Sequence, residues 1–148
     1  MIRSGPVQVR KVETPDVMRA IKVLRHRVFV EEQGVPEEEE YDAYDDLAVH
    51  AVAWNLGVVV GTGRVFQDAS GMTFIGRMAV DAAWRRRGIG GQVLHFLEEV
   101  ARQQGRQRVS LHAQTYVKTF YASHGYREEG DVFLEAGIQH VMMSKDLG

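Results

Sequence analysis

The sequence predicts an α+β domain (α/β with a mixed sheet), a central six- to seven-stranded sheet flanked by helices. Three observations predict it. Strand-like apolar runs outnumber helical ones. A basic, glycine-bearing loop separates the fourth strand from a long amphipathic helix. That helix must cross over the sheet, which makes strands four and five parallel among otherwise antiparallel neighbours. The 148 residues, 45% of them apolar, suffice for one core and read as a single domain over residues 1–148.

Val7, Val9 and Lys11 alternate with Gln8, Arg10 and Val12 as a short first strand. Thr14-Pro15-Asp16 starts a helix, with a hydroxyl N-cap, proline at the first helical position and an acid in the first turn. Met18, Ile21, Leu24, Val28 and Phe29 recur at helical spacing, so the helix runs to about Glu32, and Gln33-Gly34-Val35-Pro36 ends it. The acidic stretch that follows reads as a loop or a short helix. Leu47 to Trp54, Val58 to Phe66 and Met72 to Val80 read as an antiparallel meander, turning at Asn55–Gly57 and Gln67–Gly71. Gly88 to Gly105 is a helix whose apolar stripe includes Ile89, Val93, Leu94, Leu97 and Ala101. Arg108 to Ala113 is a strand and Thr115 to His124 a helix. Tyr126 to Asp131 and Ile138 to Lys145 are closing strands.

Charge is uneven. Residues 1–30 carry seven Lys or Arg against Glu13 and Asp16, and residues 31–46 carry nine acids and no base. The acidic run reads as a solvated loop. The basic remainder suits a polyanionic ligand such as a nucleotide. The chain has no cysteine, which excludes disulfides, thiolate metal sites and a catalytic thiol. His26, His95, His124 and His140 show no metal-ligand spacing, and no metal is expected. Met1 to Lys11 lacks the apolar core of a secretory leader, and no run approaches the roughly 20 apolar residues of a membrane helix. A cytoplasmic protein without membrane or nucleic-acid partners is the expectation.

Val80-Asp81-Ala82-Ala83-Trp84-Arg85-Arg86-Arg87-Gly88-Ile89-Gly90-Gly91 carries the first chemical signal. Glycines admit a ligand close to the backbone, and the free N–H groups and positive dipole end of the following helix point at it. With Arg85, Arg86 and Arg87 just before, the loop reads as a pyrophosphate cradle. It is not a P-loop, because no Lys follows the glycines, and not a dinucleotide fingerprint, because position 93 is Val93.

The second signal is Phe120-Tyr121-Ala122-Ser123-His124-Gly125-Tyr126. With it the chain resembles the GNAT superfamily of acetyltransferases. Arg85, Gly88 and Gly90 match one superfamily motif, and Phe120, Tyr121, Gly125 and Tyr126 match another. Leu24 to Gln33, with Pro36, Glu40, Asp42, Asp46 and His50, resembles the ElaA-like branch. The resemblance implies the GNAT acyl-CoA N-acyltransferase fold, with acetyl-CoA as cosubstrate and a primary amine as acceptor. The amine then attacks directly in a ternary complex. It places the pantetheine arm along Met78, Ala79 and Val80 where strands four and five splay, and the pyrophosphate at Arg85 to Gly91, including Ile89. Tyr121 is implied as the acid for the departing thiolate. Gln114 stands where many members carry Asn to bond the cofactor arm, and its amide has a different reach. Dimers are common in the superfamily, so a homodimer is an open expectation.

Glu31, His50 and His112 are candidates for the base that deprotonates the acceptor. Pairing Asp68 with Gly71 sets Arg64 opposite Ile75 and Thr62 opposite Arg77, placing Arg64 and Arg77 on one sheet face. Two readings of this pair stay open: ion pairs with acids such as Glu31 or Glu40, or binding of a substrate carboxylate or phosphate. A small-molecule acceptor, a peptide or protein amine, and a non-catalytic acyl-CoA-binding module are the alternatives for function.

Overall fold

A computed structural model describes residues 6–148. The leader reading takes in residues 1–5, which lie outside the described residues. Seven strands form one sheet in the order β1-β2-β3-β4-β5-β7-β6. β1 (Gln8–Lys11), β2 (Val49–Asn55), β3 (Val58–Gln67) and β4 (Thr73–Val80) are antiparallel neighbours. β5 (Arg108–Gln114) runs parallel to β4, and β7 (Ile138–Asp146) lies between β5 and β6 (Arg127–Glu135). The mixed sheet and the order of elements are those the sequence predicts. No helix is long and apolar enough to cross a membrane among the described residues.

The two faces carry different helices. Ile89, Val93, Leu94 and Leu97 of α3 (Ile89–Gln103) pack on Ala51, Ala53, Val65 and Ile75 of the sheet. On the opposite face, Leu24 of α1 (Pro15–Arg25) and Val28 pack on Ala79. Thr14 caps α1, its Oγ1 accepting from Val17 N at 3.3 Å. The helix does not stay α-helical to Glu32. His26–Glu32 is a π segment, and Gln33 N reaches back to Val28 O at 3.2 Å. The widened turn leaves the apolar spacing before it intact, so hydropathy alone does not reveal it.

The β3–β4 register is one residue away from the expectation. Arg64 faces Gly76, Thr62 faces Ala79, and a bulge lies between them. Asp68 accepts from Ser70 N and Met72 N and so lengthens the turn, which moves the register. The bulge restores what the register removes. Arg77 adopts a left-handed φ of 51° and turns its side chain to the face that carries Arg64.

The acidic run is only partly a solvated loop. Glu37–Glu40 form a short helix, α2, and a 3-10 turn follows at Ala43–Asp46. Glu40 is buried, and Asp42 and Asp45 turn inward. Arg25, itself buried on the α1 face, donates Nε to Glu40 Oε1 at 2.8 Å and Nη1 to Asp45 Oδ1 at 2.8 Å. Arg64 donates to both Asp42 oxygens at 2.6 and 2.8 Å, and to Asp45 Oδ1 at 2.8 Å. Arg77 bonds Asp42 Oδ2 and the carbonyls of Glu39 and Glu40. Three guanidinium groups thus meet three carboxylates, which is how the sheet tolerates mid-strand arginines.

Burial pushes the Asp42 carboxyl up, but the Arg64 hydrogen bond and charge more than reverse it and leave it below its ordinary value. Asp45 is lowered in the same way, burial being outweighed by Arg25 and Arg64. Burial lowers the His50 imidazole despite its bond to Asp45 O.

Two predictions follow from this packing. Depressed carboxylates stabilise the fold above their unfolded value of 3.8 and lose that contribution as pH falls through their lower folded values. His50, lowered from 6.5, binds its proton more readily when unfolded, so it also costs stability as pH falls below 6.5. Urea midpoints should therefore decline from neutral pH into acid, and Arg25→Ala should cost about 3–5 kcal/mol at pH 7 and flatten the decline below pH 4. Gly61→Ala should cost about 1–3 kcal/mol in the same assay. Its Cβ would lie 2.9 Å from Ile89 Cγ2 and 3.3 Å from Ala53 Cβ, both on stiff side chains.

Candidate active site

β4 and β5 share a register position only at Phe74 and Ser110. Beyond it the strands diverge and a cavity of about 1310 Å³ opens between them. Met78, Ala79 and Val80 of β4 and His112 and Gln114 of β5 line it. The cavity touches both sides of the sheet: the start of α3 with Phe120 and Tyr121 on one, and Arg64, Phe66 and Arg77 on the other.

The predicted phosphate loop lies at its mouth. Asp81 Oδ1 accepts from Ala83 N and starts a 3-10 turn, Ala82–Trp84. Gly88 then takes a left-handed φ of 78° and N-caps α3 without any side chain, which leaves the first helix N–H groups uncovered. Gly90 and Gly91 have another task. A Cβ on Gly90 would sit 3.4 Å from Phe120 Cζ, and one on Gly91 3.1 Å from His124 Cε1. Their lack of side chains admits α4 (Lys118–Ser123) against the start of α3. Arg86, Gly88, Ile89, Gly90 and Gly91 line the cavity. Arg85 lines it too, donating Nε to Val80 O at 3.0 Å and Nη2 to Glu32 Oε2 at 2.9 Å. Arg87 turns away onto the Trp84 ring, 4.9 Å from its centroid, and is not among the lining residues. Gln114 Nε2 donates to Gln33 Oε1 at 2.8 Å, joining β5 to the residue that caps the π segment.

Tyr121 lines the same cavity, with Phe120 at 5.0 Å and Tyr126 at 5.9 Å between ring centroids. Burial alone pushes its phenol up to about 12, so it holds its proton at neutral pH. Its neighbour Tyr126 is committed elsewhere. That hydroxyl donates to the buried Glu98 Oε2 at 2.8 Å, and Lys145 Nζ donates to Glu98 Oε1 at 3.0 Å. These bonds pin the Gly125 turn, where φ is 93°, to α3 and β7, and so fix α4 and Tyr121.

The three candidate bases part company. His112 lines the cavity, with Nδ1 2.9 Å from Glu135 Oε1. His50 is buried with Nε2 on Asp45 O at 2.9 Å, and Glu31 is exposed on the π segment; neither is a lining residue. Arg64 and Arg77 line the cavity within ion pairs to Asp42 and Asp45 and, for Arg77, the expected Glu40, while Glu31 takes no part. Arg25, Gln33, Asp45 and Glu135 were not singled out from the sequence. Arg25 had a signal: it occupies the i+4 position after Ile21 on the apolar stripe of α1. Glu135 had none, because its role depends on the β6–β7 pairing. Among the described residues no three His, Asp or Glu side chains are grouped as metal ligands.

Residues 15–147 match the family model described as an acetyltransferase (GNAT) domain. The uncharacterised N-acetyltransferase YjcF of Bacillus subtilis is 39% identical over 83% of this chain and 88% of its own. The solved structure of Escherichia coli ElaA is 27% identical with a TM-score of 0.83, covering 94% of this chain and 99% of that one. An acyl-CoA N-acyltransferase from Pseudomonas aeruginosa is also 27% identical with a TM-score of 0.83, covering 94% and 97%. A family model matching most of the chain, together with these relatives, shows that this chain belongs to the GNAT acetyltransferase family and is an acyltransferase enzyme.

Proposed function

We propose that the enzyme transfers the acetyl group of acetyl-CoA to the primary amine of a small-molecule acceptor, with both substrates bound at once. The observation that carries this reading is the cavity through the β4–β5 splay. It joins an uncovered helix start and a protonated phenol to the part of the same cavity that lies on the other sheet face. The same fold holds coenzyme A in a solved aminoglycoside 6′-N-acetyltransferase, 15% identical to this chain with a TM-score of 0.76.

The residues present fit that cosubstrate. The left-handed Gly88 leaves amide donors and the positive end of α3 open to a pyrophosphate, and Arg86 adds charge beside them. The part of β4 that has left β5 offers backbone groups without strand partners, which suit the amides of a pantetheine arm. Bound acetyl-CoA supplies an activated thioester carbon. The β4 backbone N–H groups are placed to steady a developing oxyanion. Tyr121 donates its hydroxyl proton to the departing thiolate. No covalent enzyme intermediate is required.

Tyr121→Phe should lower kcat for thiol release by about 10²–10³-fold, with the KM for acetyl-CoA little changed. Full turnover in this variant, under conditions where chemistry limits the rate, would remove Tyr121 from the mechanism. Because its phenol is pushed up to about 12, Tyr121 should produce no alkaline limb in the wild-type profile between pH 8 and 10.

A further inference from the structure

We infer that the chamber on the α1 face accepts a primary amine carried on an aromatic body, an arylalkylamine, and that His112, positioned by Glu135, takes the proton from its ammonium group. This rests on the acyl-transfer reading above.

The first observation is a continuous wall of rings. Tyr44 stacks on Phe66 at 4.2 Å and Phe66 on Phe74 at 6.0 Å. Phe74 meets His112 edge-on at 5.5 Å, His112 meets Phe133 at 5.1 Å, and Phe133 stacks on His140 at 5.9 Å. The wall crosses β3, β4, β5, β6 and β7. All its rings but Phe133 line the cavity. A surface of ring faces and edges favours a flat apolar body over a sugar or a flexible polycation, through apolar burial and ring–ring geometry.

The second observation is charge. The guanidinium groups of Arg64 and Arg77 are matched by Glu40, Asp42 and Asp45, so they leave no surplus positive charge for an acceptor anion. Glu39 and Glu135 also line the chamber. An ammonium group is attracted and a second carboxylate or phosphate is not.

The third observation is the tautomer. A carboxylate only accepts, so the 2.9 Å contact from His112 Nδ1 to Glu135 Oε1 requires the hydrogen on Nδ1. In the neutral ring the lone pair is then on Nε2. The His112 hydrogen bond, against burial, holds the Glu135 carboxyl below its usual range, so it stays anionic. His140 Nδ1 donates to Ile138 O at 2.7 Å, and its Nε2 lies 3.7 Å from Glu135 Oε2. The titratable and charged groups around the dyad are His140 from β7 and Arg77 from β4. His112 is also the first outward-facing β5 residue past Ser110, where the strands part.

The protons balance. The acceptor nitrogen sheds two. His112 Nε2 takes the first and passes it to solvent, which frees the nitrogen lone pair to attack. A C–N bond forms and the C–S bond breaks. Tyr121 gives its proton to the sulfur and is replenished by the second proton from nitrogen. The products are the amide, free CoA thiol and one released proton.

The test is acetyl-CoA thiol release with phenethylamine, spermidine and glucosamine as competing probes. Phenethylamine should be preferred in kcat/KM by about tenfold or more. Phe74→Leu should raise its KM with kcat nearly unchanged. His112→Gln should lower kcat by about 10²-fold or more and abolish the acid limb of the kcat/KM profile, and added imidazole should restore turnover in His112→Ala. His112→Asn keeps a donor toward Glu135 and should show the same loss with an unchanged melting temperature. Glu135→Gln should lower kcat without changing the KM for acetyl-CoA. Preference for spermidine or glucosamine overturns the acceptor assignment, and an intact kcat and acid limb in His112→Gln overturns the base. Calorimetry with acetyl-CoA separates the two layers. Binding without turnover of phenethylamine overturns this inference and leaves acyl transfer standing, whereas absence of binding removes both.

Discussion

Phe74 beside Ser110 is the last point at which β4 and β5 are held together, and the active cavity depends on that single tie. Parallel strands in the middle of a sheet ordinarily stay paired and buried on both faces. Here they part, and the freed groups on β4 face a cavity instead of a ladder. The glycine-capped start of α3 stands on one side of the opening and the ring wall on the other. A sheet that zipped shut would leave each half without the other. The bulge in β4 belongs to the same event. Ile75 points toward α3, yet past the bulge Met78 points toward α3 and Ala79 toward α1. Parity along the strand has reversed where the strand leaves its partner.

The arginine–carboxylate cluster walls the opening on the α1 face. Buried ion pairs are a weak source of net stability, because desolvation cancels much of the attraction. Their value here is positional. Arg25 comes from α1, Arg64 from β3 and Arg77 from β4, and all three converge on one acidic segment. That segment has little apolar content to bury, so charge is what holds it over the sheet. Tyr44 lies in the same segment and reaches Phe66 only because Asp42 and Asp45 are anchored on either side of it.

The order of elements, the helix positions and the glycine-bearing loop before α3 were legible in the sequence because each has a local signature: alternation, helical spacing, and glycines after a basic turn. What failed was non-local or concealed by composition. The Gln67–Gly71 turn gave no sign that Asp68 would bond Met72 and shift the register. The π segment kept the hydrophobic spacing of an α-helix. The acidic run looked solvated because its partners are distant in sequence, although Arg25 on the apolar stripe of α1 was a hint. Three arginines precede Gly88, and only the fold sets them apart: Arg85 and Arg86 line the cavity, while Arg87 lies over the Trp84 ring. Glu135 was invisible, because only the pairing of β6 with β7 brings it to His112 and His140.

Under the proposed mechanism, Tyr121 and Tyr126 divide chemistry from support within one short motif. Both phenols are raised, but for different reasons. Burial and the Glu98 carboxylate raise Tyr126, whose hydroxyl is spent on that carboxylate. Burial alone raises Tyr121, with no charge or hydrogen bond among the causes. A donor already bonded to a buried anion is costly to redirect. The Tyr121 hydroxyl, protonated at neutral pH and not spent on a carboxylate, is free to turn toward a charge that appears beside it during reaction. The Glu98–Lys145 pair, which holds the Tyr126 hydroxyl away from the cavity that Tyr121 lines, keeps the two phenols distinct.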